Sequence, residues 1–129
     1  MRKNLITIMF ISIFLIVGCS NNEDELPEFV EVTVETEPST IKANQEVKII
    51  AKVTQGNDAV TDADEMQFEV WKEGQTDDQH EKIDGQLDKK EEIYYLNKTF
   101  NEPGKYYVIA HVTARDMHTM PKIELEVTE

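Results

Sequence analysis

From Phe29 onward apolar and polar residues alternate with a period of two, and that pattern leaves few folds open. Val30, Val32 and Val34 alternate with Glu31, Thr33 and Glu35 until Pro38 stops the run. Val47, Ile49, Ala51 and Val53 alternate with Lys48, Ile50 and Lys52, and Met66, Phe68 and Val70 with Gln67 and Glu69, ahead of Trp71. Ile93, Tyr95 and the residues from Asn97 to Phe100 form another extended piece. Tyr106, Val108, Ala110 and Val112 then alternate with Tyr107, Ile109 and His111, and Ile123, Leu125 and Val127 with Glu124 and Glu126. Six strands follow, with a candidate seventh around His80 to Ile83.

No stretch holds an i, i+3, i+4 apolar pattern long enough for a helix. Turn residues separate the runs at Gly56-Asn57-Asp58, Glu73-Gly74, Asp84-Gly85 and Glu102-Pro103-Gly104. Short strands punctuated in this way predict two antiparallel sheets face to face. Pro103 through Val108 resembles the start of the sixth strand of many immunoglobulin-like domains. The expected fold is therefore an all-β, immunoglobulin-like sandwich of about seven strands over residues 29–129.

The N-terminus has another character. Arg2 and Lys3 precede an apolar stretch from Leu5 to Val17, broken only by Thr7 and Ser12. That is the pattern of a secretory signal, and it is short for a spanning helix, which needs about 20 apolar residues. Ile16-Val17-Gly18-Cys19 resembles a lipobox, the motif at which bacteria acylate cysteine and cleave before it. The expected organisation is a signal peptide over 1–18, a lipid-bearing Cys19, and an acidic tether over 19–28 that lacks the apolar residues to fold. Two or three acyl chains, palmitate among them, would anchor the chain stably at the outer face of the membrane.

Cys19 is the only cysteine, so a domain beyond it has no disulfide, no thiolate metal site and no cysteine catalysis. Of the 129 residues 26 are acidic and 13 basic; loss of Arg2 and Lys3 leaves 11 basic and a formal charge of −15. Nucleic acid phosphates would be repelled. After Ser20 the only serine is Ser39, with no histidine near it in sequence. No nucleophile elbow, phosphate-binding glycine loop, dinucleotide fingerprint or H-E-x-x-H occurs, so no enzymatic activity is expected. Asp58, Asp62, Asp64 and Glu65 lack the spacing of a calcium loop and read as a solvated turn. Asp77 to Glu81 reads as an exposed polar stretch, with His80 a surface histidine.

The segment His111-Val112-Thr113-Ala114-Arg115-Asp116-Met117-His118-Thr119-Met120-Pro121 holds two of the chain's three histidines and two of its five methionines. If Val108, Ala110 and Val112 face the core, His111 faces out, and the phase of Ile123 and Leu125 turns Met120 outward too. A tight turn centred near Arg115 and Asp116 would set Met120 opposite His111 and His118 opposite Thr113. Directly opposed residues have Cβ atoms about 4.5–5.5 Å apart. Imidazole and thioether donors meeting there suit copper, Cu(I) above all, rather than zinc. His111, His118 and Met120 are the expected ligands, with Met117 a fourth. The alternative for Met117 and Met120 is that they plug the end of the core, and for His111 that it packs on Tyr107.

The domain resembles the YtkA-like family of extracytoplasmic bacterial proteins, found as single lipoproteins in Gram-positive organisms. The resemblance rests on Gly56 through Asp64 leading into Met66 through Trp71, and on Pro103 through Val108 running by His111 to Met117-His118-Thr119-Met120-Pro121. It implies an immunoglobulin-like sandwich, similar in design to small periplasmic copper chaperones with His and Met ligands. Two readings follow. The first is a membrane-tethered module that binds or delivers copper, toward an acceptor such as a membrane oxidase. The second is a metal-free module that contacts another envelope protein.

Overall fold

The computed structural model describes Leu26 and residues 28–129; the leader, Cys19 and most of the tether lie outside the described residues. The elements in chain order are β1 (Val30–Glu37), β2 (Ile41–Lys42), β3 (Glu46–Gln55), β4 (Asp58–Ala59) and β5 (Glu65–Lys72). A single 3-10 turn, Asp77–Gln79, leads into β6 (Glu81–Asp84), β7 (Gln86–Asp88) and β8 (Ile93–Thr99). Then come β9 (Gly104–Ala114), β10 (Met117–Thr119) and β11 (Lys122–Thr128). All seven strands expected from the alternation are present; the four others, β2, β4, β7 and β10, have two or three residues each.

The strands form two sheets. One runs β1-β3-β8-β7, with β4 on β3; the other runs β2-β11-β9-β5-β6, with β10 on β9. Lettered by the immunoglobulin convention, this is an ABED sheet on a GFC sheet that β6 extends, so the fold is the immunoglobulin-like sandwich read from the sequence. Every pairing is antiparallel except that of β2 with β11, where Val127 stands opposite Ile41. The Tyr106 hydroxyl donates to the Glu102 carbonyl at 2.8 Å, closing the tyrosine corner at the start of the F strand.

Between the sheets the alternation becomes a core. Val47, Ile49, Ala51 and Val53 of β3 meet Phe68 and Val70 of β5 and the inward residues of β9, Tyr106 through Ala114 in steps of two. Burial of these side chains on both inner faces drives the fold, each large one contributing roughly 1.5–3 kcal/mol before the entropy of ordering is subtracted. Two details depart from the reading of the alternation. In β8 it is Tyr94 and Leu96 that join the core, paired with Ala51 and Ile49, while Tyr95 stands opposite Ile50 on the outer face. Val60, in the loop read as a solvated turn, is 2% exposed and belongs to the core. That loop is held down by the Ala63 amide donating to the Tyr94 hydroxyl.

The phase of β9 fixes what the GFC sheet shows to solvent. Residues 106, 108, 110, 112 and 114 are buried, and 107, 109, 111 and 113 are partly exposed. Because β5 pairs with β9, Gln67, Glu69 and Trp71 share that outer face, opposite His111, Ile109 and Tyr107.

Candidate metal-binding face

Arg115 and Asp116 join β9 to β10 as a two-residue turn, both with positive φ, 53° and 61°. Two such residues in succession make the type I′ turn that suits the twist of a hairpin. The register places His118 opposite Thr113 and Thr119 opposite Val112. It resumes unchanged in β11, with Lys122 opposite Ile109, so position 120 falls opposite His111. Pro121 has no amide to give to the ladder, which is where the strand is interrupted, but its carbonyl accepts from Ala110. The expected hairpin register is therefore the register found.

On this face the imidazole rings of His111 and His118 lie 6.0 Å apart between centroids. His118 Nδ1 lies 2.8 Å from the Thr113 hydroxyl, and the ring is exposed. Met120 is 49% exposed, one of three large apolar residues open to solvent among the described residues. The structure thus brings His111, His118 and Met120 to one strip. Met117 is not with them: it stands opposite Ala114, on the inward phase, and packs against the core. Its turn of phase follows from the pleat, since residues 117 and 118 must face opposite ways. Cys19 lies outside the described residues.

Behind His111 stands a carboxylate. Glu69 Oε1 lies 2.7 Å from His111 Nε2, and Glu69 Oε2 lies 2.5 Å from His80 Nδ1. All three side chains are largely covered, with 14% of Glu69, 17% of His111 and 6% of His80 exposed. The hydrogen bond from His80 and that from His111 hold the Glu69 carboxyl below the usual glutamate range, outweighing the opposing effect of burial. His80 is therefore no surface histidine. Its ring stacks on Trp71 at 4.1 Å and 8°, and Trp71 in turn meets Tyr107 and lies under the Lys122 ammonium.

Among the described residues no three His, Cys, Asp or Glu side chains are grouped to hold one ion. A metal on this face would need the thioether of Met120 as its third donor, beside His111 and His118. The thioether is a soft donor that selects Cu(I), and imidazole suits copper in either oxidation state.

Residues 24–111 match the YtkA-like family model, about two thirds of the chain. The chain belongs to the YtkA-like family. No curated protein matches it. The match covers β1 through most of β9 and includes Glu69, His80 and His111; it stops short of Met117-His118-Thr119-Met120-Pro121. The matched span of this YtkA-like chain thus contains the partly covered His80–Glu69–His111 row, while His118 and Met120 come from the hairpin that follows.

Sequence reasoning missed Glu69, His80 and Trp71. For Glu69 and Trp71 the signal was there: both are out of phase with Phe68 and Val70, on the strand that neighbours β9 in an immunoglobulin-like sheet. His80 carries no such signal. Its loop folds back to β5 through the turn in which Thr76 and Gln79 bond each other.

Proposed function

We propose that this YtkA-like protein is a lipid-anchored, extracytoplasmic copper-binding module that holds Cu(I) with His111, His118 and Met120. The observation that carries the reading is the register of the β9–β10–β11 hairpin, which sets positions 111, 118 and 120 on the outer phase of one sheet. Two imidazoles and one thioether form a three-coordinate set fitted to a soft monovalent ion, and Cu(I) cargo held by only three ligands near the surface is open to capture by an acceptor. Anchoring through Cys19 would confine that transfer to the membrane plane, so a membrane oxidase is a fitting acceptor. Met117 is left out of the ligand set because it packs inward.

The test is a Cu(I) titration of the full chain under reducing conditions against a competing chelator, beside a His118→Ala, Met120→Ala variant. One ion bound tightly, and released by the variant, is the expected result. Binding no stronger than that of scattered carboxylates would leave a tethered sandwich whose partner is another envelope protein.

A further inference from the structure

We infer that Glu69 is a positioning residue for the metal site: it holds His111 as the Nε2–H tautomer, so that Nδ1 is the nitrogen left to bind the ion. The inference rests on the copper reading of the same face and assigns a part to a residue outside the ligand set.

The geometry is specific. Glu69 lies opposite Ile109, one diagonal step from His111 across β5 and β9, and its Oε1 reaches Nε2 of that ring at 2.7 Å. An ionised carboxylate can only accept, so the nitrogen it faces must carry the proton. In a neutral ring the lone pair then sits on Nδ1, on the other side of the imidazole. The carboxylate cannot swing away cheaply, because Oε2 is occupied by His80 Nδ1 at 2.5 Å. His80 is fixed in its own turn by the Trp71 stack, and Asp77 Oδ1 lies 3.8 Å from its other nitrogen. The row Trp71, His80, Glu69, His111 is thus a braced support ending at a ligand. Outer carboxylates of this kind fix tautomer and ring orientation at metal sites, and their loss typically costs about 10- to 100-fold in affinity. The two imidazoles differ in this respect. His118 Nδ1 faces a hydroxyl, which can donate or accept and so fixes no tautomer.

The experiment is long-range proton–nitrogen NMR of the uniformly nitrogen-15-labelled full chain, at a pH where imidazoles are neutral, with and without Cu(I). Without metal, His111 is expected as a single Nε2–H tautomer; on adding Cu(I), its Nδ1 resonance shifts and Nε2 keeps its proton. In a Glu69→Gln variant, whose amide can face the ring with either end, the tautomer is expected to become mixed. Its Cu(I) affinity should fall about 10- to 100-fold. A merely structural role would lower the melting temperature and leave the tautomer of the folded fraction unchanged. An Nδ1–H tautomer in the unsubstituted chain overturns the inference, as does copper shifting Nε2, or a variant that binds as tightly with the same tautomer. The measurement on the unsubstituted chain decides the matter even where Glu69→Gln does not fold. A chain that shows the Nε2–H tautomer yet takes up no Cu(I) overturns the copper reading instead, so the two failures are separable.

Discussion

The Tyr106 hydroxyl lies 2.8 Å from the Glu102 carbonyl, spanning the bend by which the chain enters β9. The bond ties the loop Glu102-Pro103-Gly104 to the strand that carries His111 at its far end. Tyr106 is 9% exposed and its ring packs on Phe100, so Tyr106→Phe removes the bond while keeping the packing. The expected loss is about 1 kcal/mol in urea unfolding. Water can reach the freed carbonyl because Glu102 is exposed, which sets the loss near that value rather than above it. Cu(I) affinity should not change.

The turn at Arg115 and Asp116 holds two side-chain-bearing residues in the left-handed region. Asn-Gly is the sequence that suits such a turn best. The double substitution Arg115→Asn, Asp116→Gly also removes the pair between Arg115 and Asp62 at 2.7 Å, but both of those side chains are well exposed and such pairs contribute little. Relief of backbone strain should win, with a gain of roughly 0.5–1 kcal/mol. Loss of stability in thermal unfolding would mean that the surface pair outweighs the turn.

Gly85, between β6 and β7, is a position where a Cβ would press on its neighbours. A Cβ there would lie 3.0 Å from Met66 Cγ and 3.1 Å from Phe68 Cε2. Both neighbours are buried, Phe68 fully so, and each would have to give by a few tenths of an ångström. Gly85→Ala is therefore expected to cost about 1–3 kcal/mol through overpacking, read as a lower urea midpoint.

Acid should loosen the His80–Glu69–His111 row. The Glu69 carboxyl titrates below its ordinary value of 4.5, chiefly because His80 bonds the ionised form. A group depressed on folding adds stability that is fully present above its unfolded pKa and is lost as the pH falls through the folded one. The contribution of Glu69 should thus be complete above about pH 5 and decline below it. The difference in unfolding free energy between the unsubstituted chain and Glu69→Gln, followed from pH 7 to pH 3, isolates it from the other carboxylates. A difference that stays constant across that range would show that Glu69 is not held ionised by its partners.

What was legible in the sequence, and what was not, divides along a physical line. A period-two pattern with one buried face dictates both strand and phase, so β1, β3, β5, β9 and β11 and the outward aim of His111 could be read directly. The turn chemistry set the hairpin register, and with it the places of His118 opposite Thr113 and of position 120 opposite His111. Where apolar residues run together, as in Ile93-Tyr94-Tyr95-Leu96, the pattern gives no phase, and only the pairing with β3 chooses Tyr94 and Leu96 for the core. The His80–Glu69 contact is of another kind: it depends on how a loop folds back on its strand, which no local pattern records.

Met117 and Met120 provide the sharpest division between core and site, because they lie three residues apart on opposite faces of one hairpin. Met117 is partly buried against the core, whereas Met120 is 49% exposed at the position opposite His111. Leucine has nearly the volume of methionine and no sulfur, so Met→Leu removes the thioether without opening a cavity. Met120→Leu should weaken Cu(I) binding at least tenfold with unfolding free energy unchanged. Met117→Leu should leave Cu(I) affinity alone and shift stability by less than about 1.5 kcal/mol. The same titrations give a second readout, because an ion bound only by the folded chain raises its stability by about 2.7 kcal/mol when free Cu(I) stands at a hundred times the dissociation constant. That gain should persist in Met117→Leu and shrink in Met120→Leu. Loss of binding in Met117→Leu with Met120→Leu unaffected would place the sulfur ligand on the inward face, and the hairpin would then have to open to take up its ion.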